Sequence, residues 1–193
     1  MSKHVFFSFH FKDVAEFRAN VVRQHWVTKQ DRKISGYYDK SIWESAKTEG
    51  DIALKRLINS GLDGTSNTCV LIGTQTFERP WVRYELLKSY KTGKHLFGVH
   101  INGISAKDGT TKIKGPNPFE YVGVQFSDTG LTATLKEWNG SGWIDYTKID
   151  GTASYRVEVA AKHFGKFYKL SSLYRVYDWI QDDGFNNFAT WVG

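Results

Sequence analysis

At 193 residues the chain can bury one compact core with a lobe added, and 40% hydrophobic, 24% charged residues and only 3 prolines exclude a long disordered arm. The net charge of +6 comes from scattered lysines and arginines with no basic stripe, so a nucleic-acid surface is not expected, while a modest positive field suits an anionic small molecule such as a dinucleotide. No apolar run approaches a membrane span, the single Cys69 excludes an internal disulfide and fits a reducing cytosol, and the 6 histidines show no metal-ligand spacing.

The first hundred residues alternate short apolar runs with helical patterns, as β/α units around a parallel sheet do. Val5 to Phe9 is a continuous apolar-aromatic run suited to a strand covered on both faces, and far too short for a signal-peptide core. Asp13 followed by Glu16 resembles a capping box, and Val14, Phe17, Val21 and Val22 then share a helical face. Gly36-Tyr37-Tyr38 reads as a short second strand ending at Asp39. Thr48 and Asp51 cap a helix with Leu54, Leu57 and Ile58 inward, and Gly61 to Ser66 forms a loop before the buried strand Thr68 to Ile72. Pro80 suits the first turn of a helix whose inner face is Val82, Leu86 and Tyr90, and Leu96 to Ile101 is a fourth strand.

Then the pattern changes. Lys107 to Pro118 reads as a Gly/Lys-rich loop, and Tyr121 to Tyr146 as a β-meander turning at Gly130 and Asn139-Gly140. A last helix is expected over Leu173 to Ile180. With no linker between the halves, residues 1–118 are expected to form the α/β domain and 119–193 an aromatic-rich extension packed on it.

In open α/β sheets ligands bind beyond the carboxyl ends of the strands. Ser8, Phe9 and His10 leave the first strand there, Asp39 to Trp43 follow the second, and Thr74 to Glu85 follow the third. Trp81 and Glu85 lie four apart and so share one helical face. Alone, Trp-x-x-x-Glu is a weak motif, since such a glutamate is usually a surface residue; its place after the third strand gives it weight.

These pieces resemble the TIR-domain family: Val5-Phe6-Phe7-Ser8-Phe9 with Asp13, the loop around Asp39 to Trp43, Val70-Leu71-Ile72-Gly73, and Trp81-Val82-Arg83-Tyr84-Glu85. Within that family the likeness is to the TIR-like component of the Thoeris anti-phage system. It extends through Gly115-Pro116-Asn117-Pro118-Phe119 and Tyr174-Arg175-Val176-Tyr177-Asp178-Trp179, across nearly the whole chain. The resemblance implies a flavodoxin-like fold with a central parallel sheet flanked by helices, and a C-terminal β-rich extension. It also implies NAD+ as substrate with no further cofactor, Glu85 as the catalytic glutamate, and a cyclic ADP-ribose isomer that activates a separate effector. A cytoplasmic enzyme that meets a phage-derived trigger and self-associates when active would fit this branch. The first strand departs from the commoner Ser-Tyr or Ser-His pattern by carrying Ser8-Phe9-His10-Phe11.

One carboxylate can suffice for this chemistry, because nicotinamide leaves as a neutral molecule and needs no general acid, unlike an ordinary glycoside. Trp81 then either stacks on the ribose or nicotinamide or packs its helix onto the sheet. Phe9 and Trp43 either flank the nicotinamide or fill the core; Asp39 either meets a ribose hydroxyl or closes a turn; His10 is a pocket residue or a structural one; Asp13 caps a helix. Gly36 to Ser45 is a candidate lid. The rivals are a TIR adaptor without chemistry, for which Glu85 would be exposed with no pocket, and a base-exchange or deoxyribosyl-transfer enzyme. A phosphoreceiver domain is set aside because the acidic cluster it needs after the first strand is missing.

Overall fold

The computed structural model describes residues 3–10, 17–28, 32–35 and 40–193. In chain order the first part contains β1 (Lys3–Ser8), α1 (Arg18–Val27), β2 (Arg32–Ser35), α2 (Lys40–Glu49), α3 (Asp51–Leu62), β3 (Asn67–Ile72), α4 (Pro80–Lys91) and β4 (His95–His100). The second contains β5 (Val122–Phe126), β6 (Thr132–Trp138), β7 (Trp143–Asp145), β8 (Ser154–Arg156), β9 (Phe167–Lys169), β10 (Val176–Asp178) and α5 (Gly184–Val192). A five-stranded parallel sheet runs in the order β10-β4-β3-β1-β2. An antiparallel sheet runs β7-β6-β5-β9, with β8 paired to β6. The parallel core with flanking helices and the antiparallel C-terminal region match the expected fold class. No helix among the described residues is long and apolar enough to cross a membrane.

The central strands are apolar throughout because helices or the second sheet cover both faces. Every residue of β3 is buried. Val5, Phe7, Cys69, Leu71, Phe97 and Val99 pack under α1 and α5 against Val22, Trp26 and Phe188. Phe6, Val70, Ile72 and Leu96 point the other way, onto Ile58 of α3 and Val82 and Leu86 of α4. That second cluster also takes in Phe119, Val122, Leu135, Tyr146 and Leu170 from the antiparallel lobe, so α4 lies between the two sheets in one continuous core. Each large side chain so buried contributes about 1.5–3 kcal/mol.

Several local expectations are corrected. Leu173 to Ile180 is not a helix: its centre is strand β10, parallel to β4, and the last helix is Gly184–Val192. The segment Asp39 to Trp43 does not run on as a loop, since α2 begins at Lys40. Thr48 does not cap the next helix; its hydroxyl donates to the Glu44 carbonyl at 2.9 Å, and Gly50, at φ 102°, occupies the cap position. The second strand lies at Arg32–Ser35, ahead of the expected Gly36-Tyr37-Tyr38, which falls outside the described residues with Asp13, Val14, Glu16 and Asp39. Phe17 and Val21 are exposed, and α1 instead buries Arg18, Ala19, Val22, Arg23 and Trp26. Arg18 is tolerated inside because its guanidinium donates to the carbonyls of Ile104 and Thr110, both at 2.9 Å.

Candidate active site

The carboxyl end of the parallel sheet builds a cavity from three elements. β1 ends at Ser8, so Phe9 and His10 emerge at this edge. β3 ends at Ile72, and the Thr76 hydroxyl accepts from the Gly73 N–H at 2.9 Å, fixing the turn that leads to α4. Arg79 is extended (φ −80°, ψ 116°), as a residue before proline must be, and Pro80 opens the helix. Trp81 and Glu85 then stand one turn apart on the same face.

The cavity has a volume of about 270 Å³. Phe7, Phe9 and His10 form one wall, Trp43, Glu44 and Lys47 of α2 a second, and Arg79, Pro80, Trp81, Val82 and Glu85 of α4 a third. Phe9, His10, Trp43, Trp81 and Glu85 are thus brought together. Ser8 is buried at the end of β1 behind the wall and is not part of the lining. Trp81 is held by Tyr84, the two rings meeting edge to face at 5.7 Å.

Glu85 is 6% exposed, and its Oε2 has no hydrogen-bond partner among the described residues. Burial pushes its carboxyl from an ordinary value up to about 8. The Ser8 hydroxyl opposes that shift, without the geometry of a formed hydrogen bond, since Ser8 Oγ is also without a partner among the described residues. A buried acceptor left without a donor is costly, and at an apolar cavity wall it is suited to a ligand that brings hydroxyls or positive charge. No cluster of three or more His, Cys, Asp or Glu that could hold a metal occurs among the described residues.

A family model described as Thoeris protein ThsB, TIR-like domain, matches residues 6–106. The chain is also 56% identical over 194 residues, covering 100% of both sequences, to a Bacillus cereus (strain MSX-D12) protein with the provisional name cyclic ADP-D-ribose synthase ThsB1. The chain belongs to the Thoeris ThsB family of TIR-like proteins. The ThsB match runs from within β1 to just beyond β4, and so includes every residue that lines the cavity.

For this ThsB-family chain the sequence assigns no role to Phe7, Glu44, Lys47 or Arg79 at the cavity, although Arg79 lies in the stretch Thr74 to Glu85 expected beyond the third strand. Lys47 was findable: with 40–49 read as a helix, it lies four residues after Trp43 and shares its face. Arg79 was findable as the residue before a helix-opening proline. Its Nε donates to the Gln75 carbonyl at 3.3 Å, and its Nη2 lies 3.7 Å from Glu78.

Proposed function

We propose that the chain consumes NAD+, breaking the bond between nicotinamide and ribose and releasing a cyclic ADP-ribose isomer as a signal for a separate effector. The observation that carries this reading is the buried carboxyl of Glu85, whose Oε2 has no hydrogen-bond partner among the described residues, opening into an aromatic cavity with cations at its rim. The name of the Bacillus cereus relative supports the same product class.

The C–N bond breaks with its electron pair passing to the pyridinium nitrogen, so nicotinamide departs neutral and the ribose carries oxocarbenium charge. The Glu85 carboxylate stabilises that charge at the floor of the cavity, an effect of the kind worth on the order of 10²–10³ in rate. Phe9, Trp43 and Trp81 flank the nicotinamide and keep water away, and His10 completes this wall. At about 270 Å³ the cavity takes the nicotinamide-ribose end, and the diphosphate meets Lys47 and Arg79, with Glu44 reducing their field. Asp39, outside the described residues, would meet a ribose hydroxyl, and Ser8 acts from behind Glu85. A nucleophilic atom of the same substrate's adenosine half closes the ring; where it is a hydroxyl oxygen, its proton passes to Glu85. Holding both halves on one protein gives that closure its high effective molarity. A phage-derived trigger and self-association in the active form complete the proposal.

An exposed Glu85 with no pocket would favour an adaptor; the side chain is instead buried at a cavity, which supports the enzyme reading. The deciding test is NAD+ turnover in extracts of phage-infected cells, comparing this protein with Glu85→Gln and resolving products by mass. Glu85-dependent release of nicotinamide with a cyclic ADP-ribose isomer is expected. Untouched NAD+ with equal defence by both proteins would overturn the enzyme reading.

A further inference from the structure

Three successive residues of α4 reach three parts of the molecule. Glu85 opens to the cavity. Tyr84 donates its hydroxyl to Asn59 Oδ1 of α3 at 3.0 Å. Arg83, about 200° around the helix from Glu85, turns to the antiparallel lobe. Its Nη1 donates to the Trp138 carbonyl at 2.8 Å and lies 3.3 Å from Glu137 Oε2. The Tyr121 ring lies 5.7 Å from the guanidinium, and Lys148 approaches the other Glu137 oxygen at 3.9 Å. Both members of the pair are shielded, with side chains 18% and 13% exposed. Tyr146 is buried among them, its hydroxyl within electrostatic reach of Glu137, Arg83 and Glu85.

We propose that Arg83 and Glu137 are positioning residues, through which the antiparallel lobe fixes the first turns of α4 and so the place of Glu85 in the cavity. This rests on the reading of Glu85 as the catalytic group. Stability alone does not account for the pair, since a shielded ion pair roughly offsets its own desolvation and apolar residues of similar volume hold a core as well. Apolar packing, however, allows a helix to slide or rotate. A planar guanidinium bonded at once to a carboxylate and to a backbone carbonyl of β6 does not. Catalysis by a fixed charge is sensitive to that freedom, because a displacement near 1 Å costs up to roughly 10²-fold.

The test uses the full chain carrying Arg83→Met, Arg83→Lys or Glu137→Gln. It reads kcat and KM for NAD+ on folded protein, together with amide hydrogen exchange in Pro80–Lys91. Arg83→Met and Glu137→Gln are expected to lower kcat roughly tenfold or more with KM nearly unchanged, and to speed exchange in α4 but not in α3. Arg83→Lys, keeping one donor, falls between. A folded Arg83→Met or Glu137→Gln protein with wild-type kcat overturns the proposal, whatever its exchange; if Arg83→Met does not fold, Glu137→Gln decides. Should the wild type leave NAD+ intact, it is the NAD+ reading that falls, and exchange alone then judges the clamp: unchanged protection of α4 defeats it.

Discussion

The raised pKa of Glu85 makes its charge state the variable to follow. An electrostatic role requires the carboxylate, and burial holds the free protein's carboxyl at about 8. The kcat/KM for NAD+ is therefore expected to climb about tenfold per pH unit below 8 and to level off above it; a flat profile from pH 6 to 9 would refute the assignment. Stability runs the opposite way. A folded-state pKa above the ordinary 4.5 means that the proton binds the folded form better. The associated stability is complete below about 4.5 and is lost as pH rises through 8. Glu85→Gln removes the buried charge, so differential scanning at pH 9 should show it melting higher than wild type by on the order of 5–10 °C, with little difference at pH 5. That Glu85 and Trp81 share one face was legible from helical spacing after a buried strand, while the role expected of Glu85 came from the resemblance to the TIR family. The depth at which Glu85 lies was not legible, since it depends on the packing of α2 and β1 across from it.

Among the elements, α2 supplies a whole wall of the cavity through Trp43, Glu44 and Lys47. Trp43→Ala is expected to raise KM for NAD+ several-fold by removing a stacking surface worth about 1–3 kcal/mol. Lys47→Ala combined with Arg79→Ala should weaken inhibition by ADP-ribose roughly tenfold while leaving inhibition by nicotinamide unchanged, because only the former carries the diphosphate; equal loss for both inhibitors would place the two cations elsewhere in the mechanism. The sequence hid α2 behind an Asp39 that looked like the end of a strand, and Gly50 splits what would otherwise read as a single helix with α3. β10 was hidden for a different reason. Leu173, Val176, Tyr177 and Ile180 fit a helical period, yet the backbone of Val176–Asp178 between them pairs with β4, and partners distant in sequence outweigh a local pattern only a few residues long. β3 needed no such partner to be read, since burial on both faces wrote itself as an unbroken apolar run.

At the scale of the whole molecule, the join between the two sheets is as tight as the site it supports. A Cβ on Gly115 would stand 2.1 Å from the Gly73 carbonyl oxygen and 2.8 Å from Thr74 Cα, main-chain atoms of the turn that leads into α4. Gly115→Ala should therefore cost about 3 kcal/mol in denaturant unfolding and lower activity with it; a loss below about 0.5 kcal/mol would mean that the turn yields freely. The likeness of residues 115–119 and 174–179 to the family marked both segments as belonging to the fold, but nothing local in them showed that one abuts Gly73 and the other completes the parallel sheet. That completion bears on how the protein is made. Chains fold from the N-terminal side as they are synthesised, and Glu85 is translated long before Val176–Asp178 can take its place beside β4. During that interval the nascent polypeptide has Glu85 but neither the edge of its sheet nor the lobe that grips α4. On the reading of Glu85 given above, a chain still short of β10 is expected to spend less of the NAD+ of the cell that is making it than the finished protein does, and nicotinamide release by a chain ending ahead of Val176 would measure the difference.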